Sequence, residues 1–136
     1  MCGSGALSFA LQSCGVQIRA TDNYSWEGQN AMWFQQPWIE IEKIDCVEAI
    51  QKYGVETEIL ICSWPYTDDS CCKALLAMRK INPNMKMIYI GEKNEAVTAS
   101  EDFFGSIEEI DDPSFYNTIK NFRSAYCLHD RPLLLK

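Results

Sequence analysis

Two short stretches near the amino terminus have the residue types and the spacing of a nucleotide-binding unit. The first contains Gly3 and Gly5, directly before a predicted helix. Glycines there let the backbone approach a ligand closely, and the amino end of a helix offers N–H groups to it. The second is Asp22, 17 residues after Gly5 and at the end of the next predicted strand. A carboxylate at that place can accept both hydroxyls of a ribose, so the two stretches together predict one nucleotide-binding unit.

These residues and their neighbours also have structural interpretations. The two glycines suit a flexible chain end, and Asp22 with Asn23 suits a turn. Asp45 and Cys46 follow the next predicted strand, where the adenine of a nucleotide would lie. Asp45 is equally well placed to cap the helix that follows it. The residue types alone leave both interpretations open.

A second candidate site follows the most apolar predicted strand, residues 58–62. The chain continues with Ser63, Trp64, Pro65 and Tyr66. In open α/β sheets, the loops at the carboxyl ends of central strands form the ligand crevice. A serine, aromatic rings and a proline predict a stiff polar rim that holds a planar amino group by stacking and backbone carbonyl contacts. The alternative is a turn whose tryptophan only packs.

The single histidine, His129, precedes Asp130 and Arg131 near the end of the chain. A His–Asp pair is typical of general-base catalysis. The same residues equally predict a hairpin turn with a surface ion pair between Asp130 and Arg131. The sequence contains no P-loop, no Ser-His-Asp hydrolase signature and no cluster with metal-ligand spacing.

Length and composition predict one globular domain spanning residues 1–136, of which 47% are hydrophobic and 23% charged. The net charge of −7 argues against a non-specific nucleic-acid binder, although five basic and two acidic residues between 71 and 100 keep nucleic acid open as a partner. The seven cysteines include no CxxC pair and predict buried thiols in a reducing compartment. Without a signal-peptide pattern or a membrane-length apolar run, we expect a cytoplasmic protein that does not contact membranes.

Hydrophobic periodicity predicts strands that alternate with helices. The predicted helices cover residues 6–14, 46–53 and 69–81, and the predicted strands cover 16–21, 38–44, 58–62, 85–90, 123–128 and 132–136. Thr98 and Glu101 stand in capping-box register for a further helix. The alternation predicts a doubly wound, mostly parallel α/β sheet, to which the chain end adds a final strand pair.

Taken in order, these residues resemble class I S-adenosylmethionine-dependent methyltransferases. Residues 2–5 resemble the end of motif I, Asp22 the ribose-binding acid, and Asp45 the acid beside the adenine. Residues 63–66 resemble motif IV of amino-methyltransferases. The chain is also similar to small methyltransferase-like proteins with a Ser-Trp-Pro-Pro loop, an Ile-Gly-Glu run and a terminal His-Asp-Arg. Their counterparts here are residues 63–65, 90–92 and 129–131.

The resemblance implies a Rossmann-like fold with an antiparallel carboxyl-terminal strand, and S-adenosylmethionine as cofactor. The implied cofactor-binding residues are Gly3, Gly5, Asp22, Asn23, Asp45 and Cys46. Ser63, Pro65 and Tyr66 would hold the methyl acceptor, a nitrogen or oxygen of a small molecule or protein. One alternative is a non-catalytic module of the same fold that acts in partner binding or regulation. The other is a nicotinamide-dependent enzyme, which Ser8 disfavours because a third glycine belongs there.

Two features depart from the family pattern. The family's first strand precedes the glycine loop, whereas here Met1 directly adjoins it. We therefore expect that the strand lies upstream, that its neighbours close up, or that another copy or a partner chain completes the sheet. In addition, Tyr66 occupies the place of a second proline. Its ring allows stacking but leaves open how the Ser63 carbonyl is directed.

Overall fold

The structure of the chain, a computed structural model, describes residues 1–25, 36–93, 97–124 and 128–136. The chain divides into two compact units, Met1–Ala49 and Ile50–Lys136. Each unit combines helices with a sheet, so the predicted mixed α/β class is confirmed. Within the described ranges, no helix is both long and apolar enough to cross a membrane.

The first unit is built around a short parallel sheet. Its elements in chain order are α1 (Ala6–Ser13), β1 (Thr21–Asp22), β2 (Glu42–Lys43) and the start of α2 (Cys46–Tyr53). Both helices match the prediction closely, but the strands are much shorter than the predicted ranges 16–21 and 38–44. A parallel ladder forms only where two chain segments run side by side. Among the described residues, this holds for two pairs, Thr21 with Glu42 and Asp22 with Lys43.

The second unit contains a three-stranded sheet in the order β3-β4-β5. Its strands are β3 (Ile59–Ser63), β4 (Lys86–Gly91) and β5 (Arg131–Leu135). β3 and β4 are parallel and β5 is antiparallel to β4, which confirms the expected antiparallel carboxyl-terminal strand. The prediction that β3 lies mid-sheet with both faces covered is wrong, since β4 is the central strand and Ile59 is 48% exposed. An apolar run shows that a strand is buried somewhere but does not identify its neighbours.

The helices of the second unit are α3 (Ser70–Ile81), α4 (Glu101–Ser106) and α5 (Pro113–Thr118), with single 3-10 turns at Gly54–Glu56 and Ile119–Asn121. The largest fully buried side chains of this unit are those of Leu75, Met78, Met85, Met87, Tyr89, Phe103, Leu133 and Leu135. The expected cap at Thr98 is wrong, because the Ser100 hydroxyl accepts from the Phe103 N–H instead. Of the predicted strand 123–128, residues 125–127 lie outside the described ranges, and the other three are not strand.

Candidate functional site

Asp22 holds the glycine loop of the first unit. One carboxylate oxygen accepts a hydrogen bond from the Gly3 N–H at 2.8 Å, and the other accepts one from the Tyr24 N–H, also at 2.8 Å. The ammonium group of Met1 lies 3.9 Å from the same carboxylate. Asp22 is buried, with an exposed fraction of 4%. The structure thus brings the glycine loop and Asp22 together, and it uses the carboxylate to join them.

Gly5 is the N-cap residue directly before α1. Its φ is 76°, in the left-handed region, and its N–H donates to the Cys2 carbonyl at 2.9 Å. A Cβ at this position would lie 2.7 Å from Cγ2 of Ile39. Both the backbone angle and the close side chain therefore require glycine.

The two candidate acids of the first unit lie at the carboxyl ends of neighbouring parallel strands, Asp22 as the last residue of β1 and Asp45 shortly after β2. The Asp22 carbonyl accepts from the Ile44 N–H at 3.0 Å, which places Asp45 just beyond the end of β2. The Asp45 carboxylate accepts from the Val47 N–H at 2.8 Å. Asp45 therefore caps α2, the structural role that its position allowed.

The remaining predicted cofactor residues flank these acids. Asn23 is exposed, and its side-chain oxygen accepts from the Ser25 N–H at 3.0 Å, which closes a turn. Cys46 is half-buried in the first turn of α2. In the glycine loop, burial raises the pKa of the Cys2 thiol; the adjacent Met1 ammonium opposes this rise and the Asp22 carboxylate adds to it. Cys2 is therefore held as a neutral thiol rather than as a nucleophile.

The loop after β3 is held in an uncommon backbone conformation. Trp64 has a φ of 49°, and its N–H donates to the Ile90 carbonyl at 2.8 Å, beyond the last paired residue of β3. Its indole N–H donates to one carboxylate oxygen of Asp130 at 3.0 Å. The side chains of Trp64 and Tyr66 are exposed, whereas Pro65 is buried. Two aromatic rings therefore face solvent beside a fixed proline.

The backbone N–H of Ala99 binds two carbonyl groups of this loop. The Ala99 N–H donates to the Tyr66 carbonyl at 3.1 Å and lies 3.4 Å from that of Pro65. Ala99 itself has a φ of 56°. These two carbonyls are thus engaged within the protein, so the half-buried Ser63 and the aromatic rings are the groups best placed to contact an acceptor.

A buried hydroxyl pair positions the segment that carries Ala99. The hydroxyls of Tyr89 and Thr98 are 2.7 Å apart, and the Thr98 oxygen also accepts from the Glu92 N–H at 3.1 Å. A Cβ on Gly91 would lie 2.6 Å from the Tyr89 hydroxyl, so glycine is needed there. Burial raises the pKa of Tyr89 to about 12, and the Thr98 hydrogen bond opposes this rise. The phenol therefore stays neutral.

His129 and Asp130 both form hydrogen bonds with residues that are distant in the sequence. The backbone N–H of His129 donates to the carboxylate of Glu92 at 2.8 Å, and its side chain is exposed. Asp130 binds Trp64, and in the described part of the chain no ion pair joins it to Arg131. Its second carboxylate oxygen is buried with no hydrogen-bond partner there. Asp130 thus supports the loop and retains one unused acceptor.

Four residues around the second loop were not predicted as part of it: Tyr89, Thr98, Ala99 and Asp130. For Asp130, the His-Asp-Arg run was a signal, but it did not identify Trp64 as the partner. Across the described ranges, no group of three or more histidines, cysteines or acids is arranged to hold a metal ion. Comparison of the chain with protein-family models, with curated proteins and with solved structures finds no match in any of the three.

Proposed function

We propose that this chain is an S-adenosylmethionine-dependent methyltransferase with a Rossmann-like, doubly wound sheet. In this proposal it transfers a methyl group to a nitrogen or oxygen of a small molecule or protein. The observation that carries it is the hydrogen bond from the Gly3 N–H to the Asp22 carboxylate. That bond joins a glycine loop, a helix amino end and a strand-end acid, the three parts of a nucleotide-binding unit.

The polar side chains of the first unit fit the chemistry of the cofactor. A carboxylate at the end of a strand is the group that accepts ribose hydroxyls in nucleotide-binding units, and Asp22 is the last residue of β1. Asn23, Asp45 and Cys46 follow the ends of the two strands and would line the same ligand. When bound, S-adenosylmethionine supplies the electrophilic methyl group.

The second loop supplies the acceptor contacts in this proposal. Pro65 is buried and fixes the loop, while the exposed Tyr66 ring offers a face for stacking. The Ser63 hydroxyl would accept from, or donate to, the acceptor nitrogen or oxygen. These residues bind and orient the acceptor, a contribution to catalysis through position.

The second candidate is a non-catalytic module of the same fold that binds a partner. One observation favours it: Asp22 is 4% exposed, and its carboxylate already ties the glycine loop to β1. A residue kept for this structural purpose would be retained without any cofactor. Cofactor binding separates the two candidates.

The test is calorimetric titration of the full chain with S-adenosylmethionine and S-adenosylhomocysteine. We expect micromolar binding of both, weakened at least tenfold by Asp22→Asn, which replaces one acceptor oxygen by an amide donor. The matched control is Asp112→Asn, because Asp112 also accepts two backbone N–H groups and lies outside the proposed site. If the folded wild-type chain binds neither compound, the methyltransferase proposal fails and the non-catalytic module stands.

A further inference from the structure

Two buried thiols meet beneath the loop that follows β3. The sulfur atoms of Cys62 and Cys71 are 3.2 Å apart, and the residues are 1% and 0% exposed. Cys62 lies in β3 and Cys71 in the first turn of α3, so the pair encloses residues 63–70. We infer that Cys62 and Cys71 are a redox-sensitive thiol pair that closes to an intramolecular disulfide by exchange with a small disulfide such as oxidised glutathione.

The geometry selects this pair among the described cysteines. A disulfide has a sulfur–sulfur distance of about 2.0 Å, so the two atoms must approach by roughly 1.2 Å. Cys72 follows Cys71 in the helix, where successive residues are rotated by about 100° around the axis. Cys72 is therefore directed away from the position that Cys71 occupies.

The exchange is balanced without any further reagent. The thiolate of one cysteine attacks one sulfur of oxidised glutathione, which breaks the disulfide, forms a mixed disulfide and releases one glutathione thiolate. The second cysteine then attacks the protein sulfur of that mixed disulfide and releases the other glutathione. Two protein thiols are oxidised to one disulfide, one glutathione disulfide is reduced to two thiols, and the two thiol protons pass to the released glutathiones.

Burial determines the kinetics of this step. Neither sulfur is reached by glutathione until the loop between them opens. That loop carries exposed residues, among them Trp64 and Tyr66. The exposed Cys14 therefore reacts first, whereas Cys62 and Cys71 react later and finish as a disulfide. The closed disulfide would tether both ends of the loop, and this inference is independent of the proposed methyl transfer.

The experiment is oxidation of the native full chain in glutathione buffers of increasing disulfide fraction, followed by alkylation of the remaining thiols, digestion and mass spectrometry. Trypsin cleaves after Lys52 and Lys73. A second protease that cleaves on the amino side of aspartate cuts before Asp68 and so separates Cys62 from Cys71. We expect a disulfide-linked pair of peptides, 53–67 with 68–73, that becomes the main oxidised form and disappears completely on reduction with dithiothreitol.

Two variants assign the linkage. Cys72→Ser should leave the yield of linked peptides unchanged, and Cys71→Ser should lower it at least tenfold. A further control oxidises the chain in the same buffers after unfolding in guanidinium, where cysteines pair only because they are close in sequence. This unfolded chain should form disulfides between several different pairs of cysteines. The inference is overturned if Cys62 and Cys71 of the native chain remain alkylated as thiols, if Cys62 ends as a mixed disulfide with glutathione, or if Cys62 pairs with Cys72 as readily as with Cys71.

Discussion

The glycine loop of the first unit and the loop after β3 in the second unit are held by opposite means. In the first, the candidate functional group is itself the support: the Asp22 carboxylate is buried and binds the backbone of its own loop. In the second, the candidate groups Trp64 and Tyr66 are exposed. Their support comes from elsewhere, through Asp130 and Ala99.

This difference determines what a substitution can reveal. In the first unit, replacing Asp22 changes stability and ligand binding together, so the two effects need separate measurements. In the second, the supporting residues can be changed while the exposed rings remain. The largest expected effect on the free energy of unfolding is therefore that of Asp22.

The largest effect is expected for Asp22→Ala. The change leaves the partly buried N–H groups of Gly3 and Tyr24 without their acceptor. An unsatisfied buried donor costs about 1–3 kcal/mol, so we expect a loss of about 3–4 kcal/mol from the two together. Asp45→Ala is the control, because one side-chain bond to the Val47 N–H is lost and a cap contributes about 1 kcal/mol. Urea unfolding followed by circular dichroism measures both. Equal losses would contradict the special supporting role of Asp22.

The next largest effect is a loss of stability at high pH that arises from Tyr89, which supports the second loop through Thr98. The pKa of Tyr89 is raised to about 12 from its usual value of 10. Between these values the unfolded chain releases the phenol proton and the native chain keeps it, so stability falls as pH rises, by about 3 kcal/mol in total. The stabilisation is fully present below pH 10.

Tyr89→Phe tests this pH dependence. The variant loses the hydroxyl contact with Thr98, a loss of about 1 kcal/mol at pH 8. Above pH 10, its stability should fall less steeply than that of the wild type, so that the two curves converge and then cross. Unfolding free energies at intervals from pH 8 to pH 11.5 measure the convergence. Parallel curves would show that Tyr89 titrates normally in the native protein.

A smaller effect is expected for Gly5→Ala. At a φ of 76°, alanine is strained by about 1–2 kcal/mol, and its Cβ would also meet Ile39 at 2.7 Å. Gly15→Ala is a matched control, since its φ is 83° and its Cβ would have no atom within 4 Å. We expect Gly5→Ala to cost about 2 kcal/mol more than Gly15→Ala, in line with the range for overpacking. Equal losses by urea unfolding would show that the contact with Ile39 adjusts easily.

The same contrast explains what the sequence could predict. The helices α1, α2 and α3 follow from local periodicity, and the meeting of Gly3 with Asp22 follows from the spacing of a single strand–helix unit. Trp64 and Asp130 are 66 positions apart, and their hydrogen bond depends on β5 returning beside β4. No local pattern encodes that return, and the sequence indicates only the neighbours of Asp130, His129 or Arg131, as its partners.

Competition between hydroxyls accounts for a further error. Thr98 and Ser100 both stand near the start of α4, and the spacing from Thr98 to Glu101 favoured Thr98 as the cap. In the structure, the Thr98 hydroxyl is bound to Tyr89 and Glu92, which leaves Ser100 to cap the helix. A capping pattern records which side chains are able to accept a bond, and the tertiary fold decides which one does.

The smallest effect lies at Trp64, the counterpart of Gly5 in the second loop. Both residues have a left-handed backbone, but at Trp64 a bulky residue adopts it, with a φ of 49° and an indole bound to Asp130. Trp64→Gly and Trp64→Ala both remove the indole, and only alanine keeps the Cβ that this conformation disfavours. The glycine variant should therefore be more stable than the alanine variant by about 1 kcal/mol, the reverse of their usual order.

Urea unfolding of the two variants measures this difference in stability. An alanine variant as stable as the glycine variant would mean that the loop leaves the left-handed conformation once the indole is removed. In that case the bond to Asp130, rather than the backbone of the loop, maintains the exposed face at Trp64 and Tyr66.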